Sequence, residues 1–145
     1  MLFRSKSGYG LDTRTEQRSV ALAAEFADEV TYMGAHVVAP EYAGDPEGYV
    51  DLVCGEMLAA CAPHSGWVDV FCDRGAFTVA QSRRILEAGI GAGLRPRIHL
   101  SQLEQGEGIP MAIELDCASA DHLTFLSDGD IDADRKSTRL NSSHT

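Results

Sequence analysis

The chain has 145 residues, 44% of them hydrophobic and 23% charged, with 12 Lys+Arg against 22 Asp+Glu and a net charge of −10. That is enough chain for one domain with its own core, and the composition is that of a globular protein. No run of about 18 apolar residues occurs, the start lacks the apolar stretch of a secretory signal, and the acidic balance disfavours nucleic acid and anionic membranes as partners.

In chain order, Lys6-Ser7-Gly8-Tyr9 reads as the end of a strand. The plain reading of Ser7-Gly8-Tyr9-Gly10 is a tight turn, with positive φ at Gly8 and Gly10 and Tyr9 covering the core edge. The functional reading is a phenol held over a cleft. Thr15 to Ala27 carries a helical stripe at Val20, Ala23, Ala24 and Ala27. Val30-Thr31-Tyr32-Met33 is a strand leading through Gly34-Ala35 to His36. Tyr49 to Cys61 is expected as one helix, with Val50, Val53, Met57 and Ala60 on one face.

Val68 to Phe71 is a third strand, leading to Cys72-Asp73. Thr78-Val79-Ala80-Gln81 reads as a capping box opening a helix to about Glu87, with Gly89, Gly91 and Gly93 as places to end it. Arg97-Ile98 leads to His99, Pro110 to Leu115 is a short helix, and Ser119 to His122 is a weaker strand continued by Leu123 to Leu126. From Asp134 on, a single large apolar residue and no period predict a tail that is disordered or packs on nothing. It resembles a library-adaptor translation and is read as non-native, and residues 1–5 are grouped with it. The domain is placed at residues 6–133.

Alternation of strands and helices implies an α/β fold with a parallel sheet of about five strands. It is either an open doubly wound sheet or part of a TIM-type (β/α) barrel, since a whole barrel needs roughly 200 residues or more. In both, chemistry gathers at the carboxyl ends of the strands. His36, His99 and His122 fall there, whereas His64 lies in a loop and His144 in the tail. One such histidine is more often a packed core residue; three on successive units point to a site, imidazole being the commonest metal ligand and a good proton shuttle. Cys72, also at a strand end, reads as a buried thiol before a nucleophile. Cys54, Cys61, Cys72 and Cys117 form no C-x-x-C pair, so reduced thiols in a cytoplasmic protein are expected. The glycine pairs make no nucleotide loop.

Lys6-Ser7-Gly8-Tyr9-Gly10-Leu11 resembles the K-S-G-Y-G-L signature of the imidazolonepropionases. Gly34-Ala35-His36 with Pro40-Glu41-Tyr42 resembles their G-A-H…P-x-Y segment. Asp69-Val70-Phe71-Cys72 with Gly75-Ala76-Phe77 resembles D-V-F-C-E-x-G-A-F, with Asp73 where Glu is usual. Ile98-His99-x-x-Gln102 and Ser119-Ala120-Asp121-His122-Leu123 complete the series in the family's order, over about Lys6 to Ala133.

This resemblance implies a barrel of the amidohydrolase superfamily. It also implies hydrolysis of the ring amide of 4-imidazolone-5-propanoate to N-formimidoyl-L-glutamate in histidine degradation, with one zinc or iron ion. His99 would be a metal ligand, and His122 and Gln102 catalytic. Tyr9, His36 and Gln102 would bind a small-molecule substrate. The longer protein would be cytoplasmic, with a homodimer compatible, and with no nucleic-acid or membrane partner. The family's His-x-His pair and substrate Arg would precede Lys6 and its late metal-binding Asp would follow Ala133, so the chain alone is expected to be an inactive piece. The runner-up readings are a non-catalytic acidic α/β binding module and another amidohydrolase such as a ring deaminase, which would not carry Lys6–Leu11.

Overall fold

The computed structural model describes residues 2–100 and 108–122 and residues 141–144, with His122 and 141–144 described by their backbone. The strands are β1 (Arg4–Lys6), β2 (Glu29–Ala35), β3 (Trp67–Cys72), β4 (Arg95–Pro96), β5 (Ile98–Leu100), β6 (Ser119–His122) and β7 (Asn141–His144). Their order is β1-β2-β3-β5-β6-β7, with β4 beside β3, and every pairing is parallel. β4 and β5 are two halves of one strand parted at Arg97, both lying on β3. From β1 to β6 this gives a curled half-barrel of five parallel strand positions alternating with helices, the barrel alternative rather than the doubly wound one.

Helix α1 (Thr13–Phe26) starts where Asp12 accepts a hydrogen bond from the Thr15 amide at 2.8 Å. It stops where Ala27 turns extended. The single helix expected over Tyr49–Cys61 is instead two, α2 (Pro46–Cys54) and α3 (Glu56–Cys61). Gly55, at φ −109° and ψ −104°, breaks the helical path between them, a backbone option that glycine keeps open. Helix α4 (Val79–Gly91) opens on the expected capping box, with both Thr78–Gln81 bonds made. It runs through Gly89, past the expected end, because that glycine packs on β3: a Cβ there would lie 2.5 Å from Val68. Gly93, at φ +89°, completes the exit. Helix α5 (Gly108–Glu114) precedes β6.

Alternate strand residues face opposite ways. Val30, Tyr32, Val68, Val70, Ile98, Leu100 and Ala120 join the core under the helices, each at 7% exposure or less. Burial of each large one contributes roughly 1.5–3 kcal/mol. The residues between them, Thr31, Trp67, Asp69, Phe71, Arg97, His99 and Asp121, stand on the inner face of the curled sheet. At its amino end the Trp67 ring lies between Arg95 and Arg97, at 4.1 and 3.6 Å. Arg97 also bonds Glu29 at 3.0 Å, and that bond, with the neighbouring arginine charges, holds the Glu29 carboxyl below its usual value.

Two expectations at the chain ends meet a different backbone. Arg4 and Ser5 are paired in β1 with Glu29 and Val30. Asn141–His144 pair with Ser119–His122 as a strand, although the tail's composition had suggested that it packs on nothing. An open sheet edge offers backbone partners to any extended segment, whatever its side chains. The expected continuation Leu123–Leu126 lies outside the described residues.

Candidate metal centre

The inner face carries its polar groups to the carboxyl ends of the strands. Lys6 closes β1, Asp69 lies on β3, His99 on β5 and Asp121 on β6. Register places them together: Phe71 pairs with His99, and His99 with Asp121. The Asp69 carboxylate is fully buried; it takes a bond from Lys6 Nζ at 2.8 Å, and its other oxygen lies 2.9 Å from His99 Nδ1. His99 Nε2 lies 3.4 Å from both Lys6 Nζ and Asp121 Oδ2. Burial alone would push the Asp69 carboxyl up; the bond from His99 and the bond and charge of Lys6 outweigh that and hold it below the usual carboxylate value.

Ligand atoms of Asp69, His99 and Asp121 all lie within 4.8 Å of one another. An imidazole with carboxylates beside it is a donor set that a metal ion accepts, and the Lys6 ammonium stands among the same groups. Asp69, Asp121 and Lys6 were not assigned roles from the sequence. The signal was present in the alternation Val68-Asp69-Val70 and Ala120-Asp121: a polar residue every second position in strands that otherwise read as buried.

A cleft of about 290 Å³ adjoins the centre, bounded by Lys6, Ser7, Tyr9, His36, Phe71 and His99. His36 Nδ1 lies 2.9 Å from the Gly8 carbonyl, which can only accept, so Nδ1 carries the hydrogen. Tyr9 meets the His36 ring edge-on at 5.5 Å and is 84% exposed, so it stands over the cleft and does not cover the core. Phe71 stacks on His36 at 6.3 Å and tilts against His99 at 6.5 Å, forming the apolar wall between the two imidazoles. The turn beneath them is built as expected at Gly8 (φ +112°), but the second positive φ falls on Leu11 (+59°) in place of Gly10. The cause is Glu16, whose buried carboxylate lies 3.2, 3.0 and 3.4 Å from the amides of Gly8, Gly10 and Leu11 and draws that backbone inward.

His122 ends β6, its backbone opposite Leu100 in β5, which places it at the same end of the sheet as His99. Gln102 lies outside the described residues. A larger hollow of about 440 Å³ lies beside Arg95 and Pro96 at the start of β4, and its lining includes none of the centre's imidazoles.

The cysteines fit the buried-thiol reading. Cys61, Cys72 and Cys117 are buried and Cys54 half-buried, all four free. Burial pushes every one of these thiols up, Cys61 and Cys117 to about 12. A thiol reagent at neutral pH should therefore label the folded chain slowly at Cys54 alone, and all four after denaturation. Rapid native labelling of Cys72, read by peptide mass, would contradict this packing.

Fold and site together define part of a parallel β/α barrel with an imidazole–carboxylate centre at the carboxyl ends of its strands. No family model matches the chain. Over 131 residues it is 60% identical to the imidazolonepropionase of Streptomyces coelicolor and 59% identical to that of Streptomyces griseus, covering 90% of this chain and 34% of each relative. It is 61% identical over 128 residues to the imidazolonepropionase of Mycolicibacterium smegmatis, covering 88% of this chain and 32% of the relative. About nine-tenths of the chain is thus similar to one part of imidazolonepropionases. The chain spans about a third of the length of the curated relatives it matches.

Proposed function

We propose that this chain is the part of a longer amidohydrolase that supplies a metal ligand and much of the substrate cleft, and that the longer enzyme opens the ring amide of 4-imidazolone-5-propanoate with water to give N-formimidoyl-L-glutamate. The observation that carries the reading is His99, set between two carboxylates and beside a cleft walled by Phe71, His36 and Tyr9. The relatives' shared name supports the substrate.

In this reading His99 holds a zinc or iron ion, with Asp121 near the same nitrogen. A metal ion in such a site supplies Lewis acidity that makes water a nucleophile near neutral pH. His122 donates a hydrogen bond to the ring carbonyl oxygen and stabilises the negative charge that grows there on attack. Gln102 contacts the ring. Tyr9 and His36 hold the propanoate carboxylate; with Nδ1 of His36 already committed to Gly8, its Nε2 edge is the one that turns to the substrate. Phe71 keeps water off the ring face. The setting is cytoplasmic histidine degradation, and among the described residues no helix is long and apolar enough to cross a membrane.

The test is the longer enzyme with 4-imidazolone-5-propanoate, followed by loss of ring absorbance and by product mass. Ring opening without ammonia release supports the reading; an intact ring here, with ammonia released instead from a heterocycle that carries an exocyclic amine, would favour a ring deaminase, and neither event would favour the binding module. His122→Ala should keep the metal by elemental analysis yet slow turnover by about a hundredfold or more. Loss of metal in that variant would reassign His122 as a ligand. The 145-residue chain alone should turn over nothing, because it contains no His-x-His pair.

A further inference from the structure

Lys6 and Asp69 belong to two of the sequence motifs, and the reaction as proposed uses neither. Asp69 has no solvent exposure, and each of its oxygens already accepts a bond: Oδ2 from Lys6 Nζ at 2.8 Å, Oδ1 from His99 Nδ1 at 2.9 Å. An ionised carboxylate has no hydrogen to donate, so the shared hydrogen of that second contact sits on His99 Nδ1. At the other edge Nε2 faces a donor, the Lys6 ammonium, and an acceptor, the Asp121 carboxylate, each at 3.4 Å, so that edge selects no tautomer of its own. Of the ring's contacts, the one to Asp69 therefore places the hydrogen on Nδ1. The contacts also sort the cluster: Asp69 stands at the Nδ1 edge of the ring and Asp121 at the Nε2 edge, 3.4 Å away.

We infer that Asp69 is a positioning residue and not a metal ligand: it fixes the tautomer and orientation of His99 so that the Nε2 lone pair faces the ion, and Lys6 anchors Asp69 in place. The inference rests on His99 being a metal ligand, as proposed above. The strand geometry supplies the alignment. Asp69 lies two residues before Phe71 on the inner face of β3, and Phe71 is the register partner of His99, so the carboxylate comes up beneath the imidazole from the neighbouring strand. A histidine that donates its second ring N–H to a carboxylate is a more basic, better oriented ligand, and losing such a partner weakens metal affinity about 10–100-fold. The Lys6 ammonium, two-thirds shielded from solvent, compensates the buried carboxylate and prevents its rotation toward the ion.

The experiment uses the longer enzyme, in wild-type form and as Asp69→Asn, Asp69→Ala and His99→Ala. The side-chain ¹⁵N shifts of His99 in metal-free wild-type protein should report Nδ1–H; a dominant Nε2–H form would overturn the inference without any variant. Zn²⁺ affinity by chelator competition should fall about 10–100-fold in Asp69→Ala, with one ion still bound at saturation. Asp69→Asn, whose carbonyl still accepts from Nδ1, should recover part of the loss. Wild-type affinity in Asp69→Ala would show that the carboxylate positions nothing, and failure to bind any Zn²⁺ at saturation would make it a direct ligand. The two readings fail separately. Undiminished Zn²⁺ binding by His99→Ala removes the ligand assignment itself, whereas loss in His99→Ala beside an unchanged Asp69→Ala removes only the positioning role.

Discussion

Replacing His99 by alanine in the longer enzyme should remove metal and turnover together. The side chain sits at the centre of the donor cluster, with carboxylates on both ring edges and Lys6 against Nε2. Alanine deletes the imidazole and leaves Asp69 and Asp121 facing the Lys6 ammonium alone. The two acids would be satisfied by that cation, and the site would lose the imidazole that this part of the chain contributes to a transition metal. Water is then no longer acidified toward neutrality, and the supply of nucleophile at neutral pH collapses. Turnover should fall by at least about a thousandfold, with zinc and iron below a tenth of an equivalent by elemental analysis. Full metal content with low activity would move His99 from ligand to some other role.

The largest effect on stability is expected at Glu16. Its carboxylate is fully buried in α1 and gathers the amides of Gly8, Gly10 and Leu11 on one oxygen. Glu16→Ala strands these three donors, of which the Gly8 amide is wholly buried. A buried donor without a partner costs about 1–3 kcal/mol, and with one amide wholly buried and two partly buried the sum should reach about 2–3 kcal/mol. That is a fall of roughly 6–12 °C in the thermal midpoint of a chain this size, read by circular dichroism. Glu16→Gln keeps a carbonyl acceptor and should lose less than half as much. The damage should also travel: Gly8 is the acceptor for His36, and Tyr9 leans on His36, so the cleft loosens with the turn. A midpoint unchanged within about 2 °C in Glu16→Ala would show that the turn holds itself.

The order of elements was legible because local chemistry announces it. The Thr78–Gln81 pair caps its helix through bonds spanning three residues, and Val30 to Met33 is β-rich. The break at Gly55 was not legible: the apolar stripe runs across it, and glycine inside a stripe is tolerated as readily as it bends. Helix α4 outran its expected end for a tertiary reason, the close seat of Gly89 against Val68 on β3. Glu16 carries no signal of its own in the sequence, and only the return of the Gly8–Leu11 turn over α1 makes it a buried acceptor.

What the sequence determined by itself was the alternation of strands and helices, the parallel sheet that alternation requires, the strand-end positions of His36, His99 and His122, and a family resemblance carried on five ordered motifs. These follow from periodicity, caps and motif order, all of which act within a few residues along the chain. Only the tertiary structure decided that Lys6, Asp69, His99 and Asp121 share one cluster, and which edge of the imidazole each acid meets. The four residues lie on four separate strands, up to 115 positions apart, and their meeting is set by register and by curling of the sheet, which no local pattern encodes.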